Sequence, residues 1–310
     1  MARGAQCDNA RSVASASKST ASSGRATSRA AAMNRSQSVA WGQFSQSRAA
    51  CRNTSPRHVA CRRLDVFVAT AGWSVPRELA AFAPSHGSGL QKYAHLLGAT
   101  EINSTFYRRH RPTTFARWRD SVPDYFRFAV KMPRTITHEA ALVSPAAELR
   151  VFFADLEPLG SKLGPVLVQL PASVPFEARK VSSFFRVMRS LYAGSVVCEP
   201  RHASWYEDRA EELFLKYSIA RVLADPPRPL QAIAPGGSPS LVYVRWHGSP
   251  RIYWSSYSDE RLTTLANFVK AQPSGVLVWC VFDNTASGAA LSDALRFQRA
   301  LDQAASAAST

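Results

Sequence analysis

The sequence lacks several features that would assign it to a class at once. It contains no run of about 18 apolar residues, so no transmembrane helix is expected. Its five cysteines form no CxxC pair, and we expect free thiols in a reducing compartment. A glycine-rich phosphate loop, an HExxH motif and a dinucleotide-binding fingerprint are also missing. We therefore expect neither a bound cofactor nor a tightly bound metal ion.

Acidic residues are almost absent from residues 1–63, which hold eleven Lys and Arg but only one acid, Asp8. Residues 1–62 are rich in Ser, Ala and Arg and have no hydrophobic period, which predicts a disordered extension before a folded domain over 63–305. Three interpretations stay open: a non-functional extension upstream of a start at Met33 or near Val66, an organellar transit peptide, or a nucleic-acid-binding arm. The remaining chain is only mildly basic, so nucleic acid is a disfavoured but not excluded partner.

The rest of the chain has short apolar runs in place of long ones. Eight such runs end at a polar or charged residue, and helical segments separate most of them. This alternation predicts an α/β fold of TIM type, a (β/α)8 barrel whose strands carry the chemistry at their carboxyl ends. A proline-rich stretch over 226–239 predicts a loop in place of a sixth helix, and Ser144 is the predicted N-cap of a helix containing Phe152. The predicted strands are 66–71, 99–103, 126–131, 166–170, 196–199, 221–225, 241–245 and 275–282.

Charged residues end six of the predicted strands. A buried charge is costly without a partner, so any one of them could belong to a structural ion pair. Six such residues on one rim favour a polar functional pocket. The six are Glu101, Lys131, Glu199, Asp225, Arg245 and Asp283.

Roles can be assigned to these side chains as hypotheses. Glu199 and Glu101 are the candidate acid and base, with Asp225 and Asp283 orienting partners or binding hydroxyls. His247 follows Arg245 by two residues, so both should face the same side and, with Lys131, bind or polarise an anionic group. An imine-forming role for Lys131 is possible, but pairing with a carboxylate is favoured. The candidate substrate-binding residues are Trp73, Asn103, Tyr107, His138, Gln169, Arg201, His202, Trp205, Arg245, Tyr253 and Asn284.

Seven ordered motifs resemble a known family. They are "TAGWS", "EINSTFYR", "FRFAVKMPRTITH", "KLGPVLVQLP", "CEPRHASW", "VYVRWHGSPRIYW" and "FDNTASGAA", and they resemble the YecE-like family, a domain of unknown function with the number 72. The resemblance covers about residues 66 to 302. It implies a TIM-type barrel and a bacterial-type cytosolic protein, but no reaction.

The family pattern maps onto individual positions of this chain. One departure is the "GWSVPRELAAF" stretch, where the family commonly has a Tyr and then a Trp, so any aromatic wall there is altered. The matching positions are Gly72, Trp73, Glu101, Asn103, Phe106, Tyr107, Lys131, His138, Gln169, Glu199, Arg201, Trp205, Asp225, Arg245, His247, Gly248, Asp283 and Asn284.

Our leading hypothesis is a cytoplasmic enzyme, a hydrolase, lyase or isomerase, that acts on a small sugar-like or phosphorylated substrate. One alternative is metal-dependent processing of phosphodiesters or nucleic acid, since acids and histidines on this rim could ligate divalent ions. Another is a non-catalytic ligand sensor on the same pocket. The oligomeric state is left open. The candidate ligands of the metal alternative are Glu101, Glu199, Asp225, His202, His247 and Asp283.

The predicted extension can be tested by truncation. A chain that begins at Arg63 should unfold at nearly the same temperature as the full chain, because a segment without fixed contacts adds nothing to stability. Limited proteolysis should remove residues 1–62 first. A melting temperature lowered by several degrees would show that the extension packs on the folded domain.

Overall fold

A computed structural model describes residues 65–143 and 145–306, with side chains as far as residue 303. The predicted extension over 1–62 and the predicted N-cap Ser144 lie outside the described residues, as do Cys7, Cys51 and Cys61. The boundary between extension and domain therefore stays a prediction. Within the described range, none of the helices combines the length and the apolar composition that a membrane span needs.

The described strands form two sheets, in which all pairings are parallel apart from one short edge. One sheet has the order β1-β10-β9-β7 and the other the order β2-β3-β4-β5-β6-β8, with two-residue β8 antiparallel to β6. The predicted α/β class with parallel strands is confirmed. The strands are β1 (Asp65–Thr70), β2 (Ala99–Ile102), β3 (Arg127–Lys131), β4 (Leu163–Gln169), β5 (Val196–Glu199), β6 (Ile219–Arg221), β7 (Leu223–Asp225), β8 (Gly236–Gly237), β9 (Leu241–Trp246) and β10 (Leu277–Phe282).

Helices occupy most of the connections between strands. The proline-rich stretch before β9 contains a short 3-10 helix, Leu230–Ile233, in place of a full helix, as its composition predicts. A further 3-10 helix, Arg77–Phe82, lies between β1 and the first α-helix. The α-helices are α1 (Gly89–Ala94), α2 (Pro112–Asp120), α3 (Ala146–Leu156), α4 (Ala178–Leu191), α5 (Asp208–Lys216), α6 (Asp259–Lys270) and α7 (Ala289–Ser306).

Two junctions connect the sheets. An isolated parallel bridge pairs Ala71 with Glu101, and the Gly72 N–H donates to the Glu101 carbonyl at 2.8 Å. At the other junction the chain runs directly from β6 to β7, and only Val222 separates them. The single strand predicted over 221–225 is therefore wrong in its bounds. The ladders join the described strands into two sheets and not into one closed sheet, so the barrel stays a prediction.

The core between the strands mixes very small and very large side chains. Alanines such as Ala69 and Ala129 leave space that Tyr243 and Trp279 fill, and all four are almost completely buried. The Trp279 ring stacks on Phe67, with centroids 4.9 Å apart. The residues of this core cluster are Ala69, Ala99, Ala129, Leu167, Val197, Ala220, Val222, Leu241, Tyr243, Trp279 and Val281.

The close approach of Trp279 to β4 requires glycine at position 164. A Cβ built there would lie 2.7 Å from Trp279 Cζ2 and 3.2 Å from the Phe128 carbonyl. Gly164→Ala should therefore lower the free energy of unfolding by about 1–3 kcal/mol, the usual cost of overpacking a core. Gly98→Ala is the control, since its Cβ would meet only the Tyr125 ring at 3.7 Å. Equal urea midpoints for the two variants would contradict this packing.

Candidate active site

The register of the strands places the charged residues on one face. Paired residues of neighbouring parallel strands point to the same side, and residues two apart on a strand also share a side. Glu199 pairs with Gln169, and Lys131 pairs with Leu167, two residues before Gln169. Arg245 pairs with Val281, two residues before Asp283. The pattern of the core cluster thus continues into charged side chains at the carboxyl ends of the strands.

Arg245 is the centre of a buried ion-pair network and has no exposed surface. Its Nε and Nη2 donate to the two carboxylate oxygens of Glu101 at 3.1 and 2.7 Å. Nη1 donates to Glu199 Oε2 at 2.7 Å, and Nη2 also donates to Asp283 Oδ2 at 3.0 Å. Three carboxylates from three strands therefore surround one guanidinium. Because its donors are committed in this way, Arg245 organises the site, whereas the sequence predicted a substrate-binding role.

His247 joins two of these carboxylates from the other side. Its Nε2 lies 3.0 Å from Glu199 Oε1, and its Nδ1 lies 3.0 Å from Asp283 Oδ2. Both ring nitrogens can donate only when the imidazole is protonated. Burial alone would lower the pKa of His247, but the charge of Glu199 and the hydrogen bonds that the ring donates to both carboxylates outweigh burial and raise the pKa. The two carboxylates thus favour the protonated, imidazolium form of His247.

The same interactions decide the protonation of Glu199. Burial would raise the pKa of its carboxyl group, but Arg245, His247 and Arg201 together hold that pKa well below its ordinary value. The sequence could not decide between these opposing effects, and in the structure the cations prevail. The pKa of Asp283 is lowered for the same reason, against the effect of burial. Glu199 is therefore a carboxylate at neutral pH.

Tyr243 completes the network and was missed by sequence reasoning. It is fully buried, and its hydroxyl donates to Glu101 Oε2 at 2.8 Å. Burial and the neighbouring Glu101 charge raise the pKa of the phenol well above its ordinary value. Its position two residues before Arg245 on a predicted strand was the signal that could have identified it.

Lys131 differs from the other charged residues of the site. Its side chain is 7% exposed, yet within the described part of the chain no residue accepts a hydrogen bond from its ammonium or pairs with it. The ammonium lies 4.0 Å from the ring centroid of Phe106. Burial and then Arg245 lower the pKa of Lys131 to about 8, although Glu101, Glu199 and Asp283 act in the opposite direction. The prediction that Lys131 is paired with a carboxylate is therefore wrong within these residues.

Asp225 lies at the end of its strand but faces away from the network. It pairs with Trp246 and not with Arg245, so its side chain points to the opposite side of the sheet. There its carboxylate accepts from Arg261 of α6 at 2.5 Å. The predicted role of Asp225 at the pocket is thus corrected by strand register.

Three other candidates have structural partners away from the network. The side-chain amide of Asn284 donates to Asp293 Oδ2 at 2.7 Å and to the Ser255 carbonyl. The Trp205 indole is fully buried and donates to the Val174 carbonyl at 2.9 Å. His202 caps the 3-10 helix Ala203–Tyr206 through its Nδ1. All three side chains thus make structural hydrogen bonds outside the network, although Asn284 Oδ1 is buried without a partner among the described residues.

The remaining candidates lie near the strand ends with varied exposure. Arg201 Nη2 donates to Glu199 Oε1 at 3.1 Å and to the Tyr253 hydroxyl at 3.3 Å. The His138 ring packs edge-on against Phe106, and burial, followed by the charge of Lys131, lowers its pKa.

Four further candidates make few polar contacts. Trp73 packs edge-on against Trp118, and Tyr107 is largely exposed. Gln169 is buried, and its amide reaches only the Leu170 carbonyl at 3.4 Å. Asn103 Oδ1 is buried with no hydrogen-bond partner among the described residues. Asn103 and Gln169 therefore retain polar atoms that a ligand could satisfy.

Metal coordination was the second function considered from the sequence. Among the described residues, no group of three or more His, Cys, Asp or Glu side chains is arranged to hold a metal ion. The carboxylates that could ligate one instead accept hydrogen bonds from Arg245 and His247. A metal ion would have to displace these two side chains.

Comparison with known proteins gives a consistent family. The profile of the family described as "Protein of unknown function DUF72" matches residues 67–310. The Escherichia coli (strain K12) protein named "UPF0759 protein YecE" is 30% identical over 176 residues, which cover 55% of this chain. This match spans 62% of the length of that relative.

Solved structures of the same family share the fold. A DUF72 family protein from Enterococcus faecalis V583 superposes with a TM-score of 0.66 at 21% identity, over 76% of this chain and 95% of the other. A DUF72 family protein from Thermotoga maritima MSB8 gives a TM-score of 0.64 at 26% identity, over 77% of this chain and 99% of the other.

The lowered pKa of Lys131 makes a prediction about stability. Between about pH 8 and pH 10.5 the unfolded lysine keeps a proton that the folded lysine has lost, so stability should rise with pH. Relative to Lys131→Met, the parent should gain up to about 3 kcal/mol in the free energy of unfolding across this range. Urea unfolding of both proteins measures the difference, and a difference that does not change with pH would contradict the lowered pKa.

Proposed function

This chain belongs to the DUF72 family, whose activity is not established, and we propose that it is an enzyme acting on a small polar substrate by acid/base chemistry. We place the reaction at the carboxyl ends of the parallel strands, where the charged network lies. We further propose that the two sheets belong to one (β/α)8 barrel. The bridge between Ala71 and Glu101 and the direct passage from β6 to β7 support this closure.

The observation that carries the proposal is a difference in hydrogen bonding among the three cations of the network. The guanidinium of Arg245 donates to three carboxylates and the ring of His247 contacts two of them. The ammonium of Lys131 has no hydrogen-bond partner among the described residues. A buried ion network is a weak source of stability, because apolar residues of the same shape often stabilise as well or better. Fixed donors and acceptors around an uncommitted amine are what proton transfer requires.

Each group then has a distinct role. The imidazolium of His247 would deliver its proton through Glu199, the carboxylate that accepts a hydrogen bond from its Nε2. Lys131, with a pKa of about 8, would accept a proton near neutral pH. This division replaces the pair of acid and base carboxylates expected from the sequence, since the pKa of Glu199 is low.

A cavity next to Phe106, the residue whose ring contacts the Lys131 ammonium, offers space for a substrate. It measures about 360 Å³, is mainly apolar, and is lined by Thr105, Phe106 and residues of α3. Phe106 also contacts the ammonium of Lys131, and the Thr105 hydroxyl donates to the Lys131 carbonyl at 2.6 Å. Lys131 itself is not among the lining residues, so the cavity approaches the amine only through Phe106.

The metal-dependent alternative gains no support from a particular contact. It would require Glu101, Glu199 and Asp283 to release Arg245, which leaves a buried guanidinium uncompensated. Elemental analysis of protein purified without chelator separates the two proposals. Near-stoichiometric zinc, manganese or iron would favour the metal-dependent reaction.

Glu199→Gln tests the proposal directly. The variant keeps the shape of the side chain but removes the charge that maintains His247 as an imidazolium. Turnover should fall by about 10²–10⁴, the range for general acid/base catalysis. Ligands are first identified by thermal shift against sugar phosphates and small carboxylic acids, and turnover is followed by exchange of substrate protons in deuterated water.

Asp225→Asn is the matched control for this variant. Asp225 is also buried, and its carboxylate accepts from Arg261 at 2.5 Å on the side of the sheet that faces away from the network. Both variants should lose about 1–3 kcal/mol of stability, the scale of a disturbed buried polar contact. Parental turnover by folded Glu199→Gln would show that the network is structural.

A further inference from the structure

Lys131 is a buried amine inside a charged site, and its nitrogen has no hydrogen-bond partner among the described residues. It ends β3 on the face shared by Gln169 and Glu199, and its ammonium lies 4.0 Å from the ring centroid of Phe106. A contact between a cation and an aromatic ring contributes only about 0.5–2 kcal/mol and leaves the nitrogen free to react. No described carboxylate or carbonyl oxygen accepts a hydrogen bond from this nitrogen.

Lys162 is a buried lysine with a structural role and serves as a comparison for Lys131. It is buried to the same extent, with 7% of its surface exposed. Its ammonium donates to the carbonyls of Arg119 and Val122 at 2.8 and 2.7 Å, and it lies 3.5 Å from the Asp124 carboxylate. Burial of a lysine does not by itself leave the amine without partners. The arrangement around Lys131 is therefore a specific feature of the site.

The neighbourhood of Lys131 favours a negatively charged ligand. His138 has its pKa lowered by burial and then by three nearby cations, Lys131, Arg134 and Arg201. Arg201 uses Nη2 alone for its side-chain contacts among the described residues, so Nη1 and Nε keep free N–H groups. A guanidinium with two free donors matches a carboxylate or phosphate group.

We infer that Lys131 is a nucleophile that forms an imine with a small aldehyde or ketone carrying a carboxylate or phosphate group. The inference rests on the function proposed for this site and names its substrate class. It adds a covalent intermediate to the acid/base chemistry of the network.

The step balances without any further reactant. The neutral Lys131 nitrogen attacks the carbonyl carbon, a C–N bond forms, and the carbonyl oxygen gains a proton. The nitrogen then loses its protons while the oxygen takes a second one and leaves as water, so that amine and carbonyl give imine and water. The hydrogen-bonded pair of His247 and Glu199 in the same network is the candidate source of these protons.

The supply of neutral amine fits this step. With a pKa of about 8, Lys131 is neutral in roughly a tenth of molecules at pH 7, on the order of 10² times more than an ordinary lysine. The charges that face it are those of Arg245, Glu101, Glu199 and Asp283. The two carboxylates that hold His247 keep low pKa values, so they do not change charge near pH 8.

Reductive trapping tests the inference on the full chain. The protein is incubated with glyoxylate and cyanoborohydride near pH 7.5, and the reduced adduct is located by peptide mapping. We expect one saturable adduct at Lys131, at least about tenfold more than at Lys162, and a rate that rises through pH 8. Lys131→Arg should abolish this adduct, and neutral propionaldehyde should label more slowly than glyoxylate.

The outcomes separate the imine from the proposed function. Adducts spread over exposed lysines, or equal labelling of Lys131 and Lys162 in the parent, would overturn the imine even if Lys131→Arg fails to fold. Loss of turnover in Glu199→Gln together with an unlabelled Lys131 would retain acid/base catalysis and remove only the covalent step. Specific labelling of Lys131 with parental turnover in Glu199→Gln would support the nucleophile and overturn the role of the network.

Discussion

One guanidinium, that of Arg245, connects parts of the sheet structure that backbone hydrogen bonds barely connect. Arg245 belongs to β9, in the four-stranded sheet, whereas Glu101 and Glu199 belong to β2 and β5 in the other. Between β1 and β2 the backbone supplies only an isolated bridge. The ion pairs of Arg245 therefore link the two sheets through their interior. Removal of this side chain would take a cation from three buried carboxylates and leave Glu101 with the Tyr243 hydroxyl as its donor, which is far costlier than loss of an exposed ion pair.

The network also sets the pH range in which it stabilises the fold. Glu199 and Asp283 have lowered pKa values, so their contribution is complete above the ordinary carboxyl range and is lost as pH falls through their folded values. His247 has a raised pKa, so its contribution is complete below its ordinary value of 6.5 and is lost as pH rises through the folded value. The two conditions overlap in mildly acidic solution, above the ordinary carboxyl range and below about pH 6.5.

Most residues of the ion-pair network can be predicted from the sequence, because each stands where an apolar run ends. Apolar runs that stop at a charged residue predict Glu101, Glu199 and Arg245. Asp225 followed the same pattern and was assigned wrongly, because one residue of register decides which side of a strand faces the core. Tyr243 was overlooked since an aromatic residue inside an apolar run reads as core. The sign of the pKa shift of Glu199 depended on distances to three cations, and a sequence contains no distances.

The balance of charges in the network explains why the amine of Lys131 has no carboxylate partner. The three carboxylates of the network face three cations, Arg245, His247 and Lys131, and Arg201 at the rim adds a fourth. Arg245 and His247 already provide each of the three carboxylates with a hydrogen-bond donor, so no carboxylate needs Lys131 as its donor. Its charge then remains poorly solvated, and release of its proton costs little, which is the origin of its lowered pKa. An anionic ligand beside Arg201 would fit the excess positive charge. Lys131, whose pKa is lowered to about 8, would supply the neutral amine.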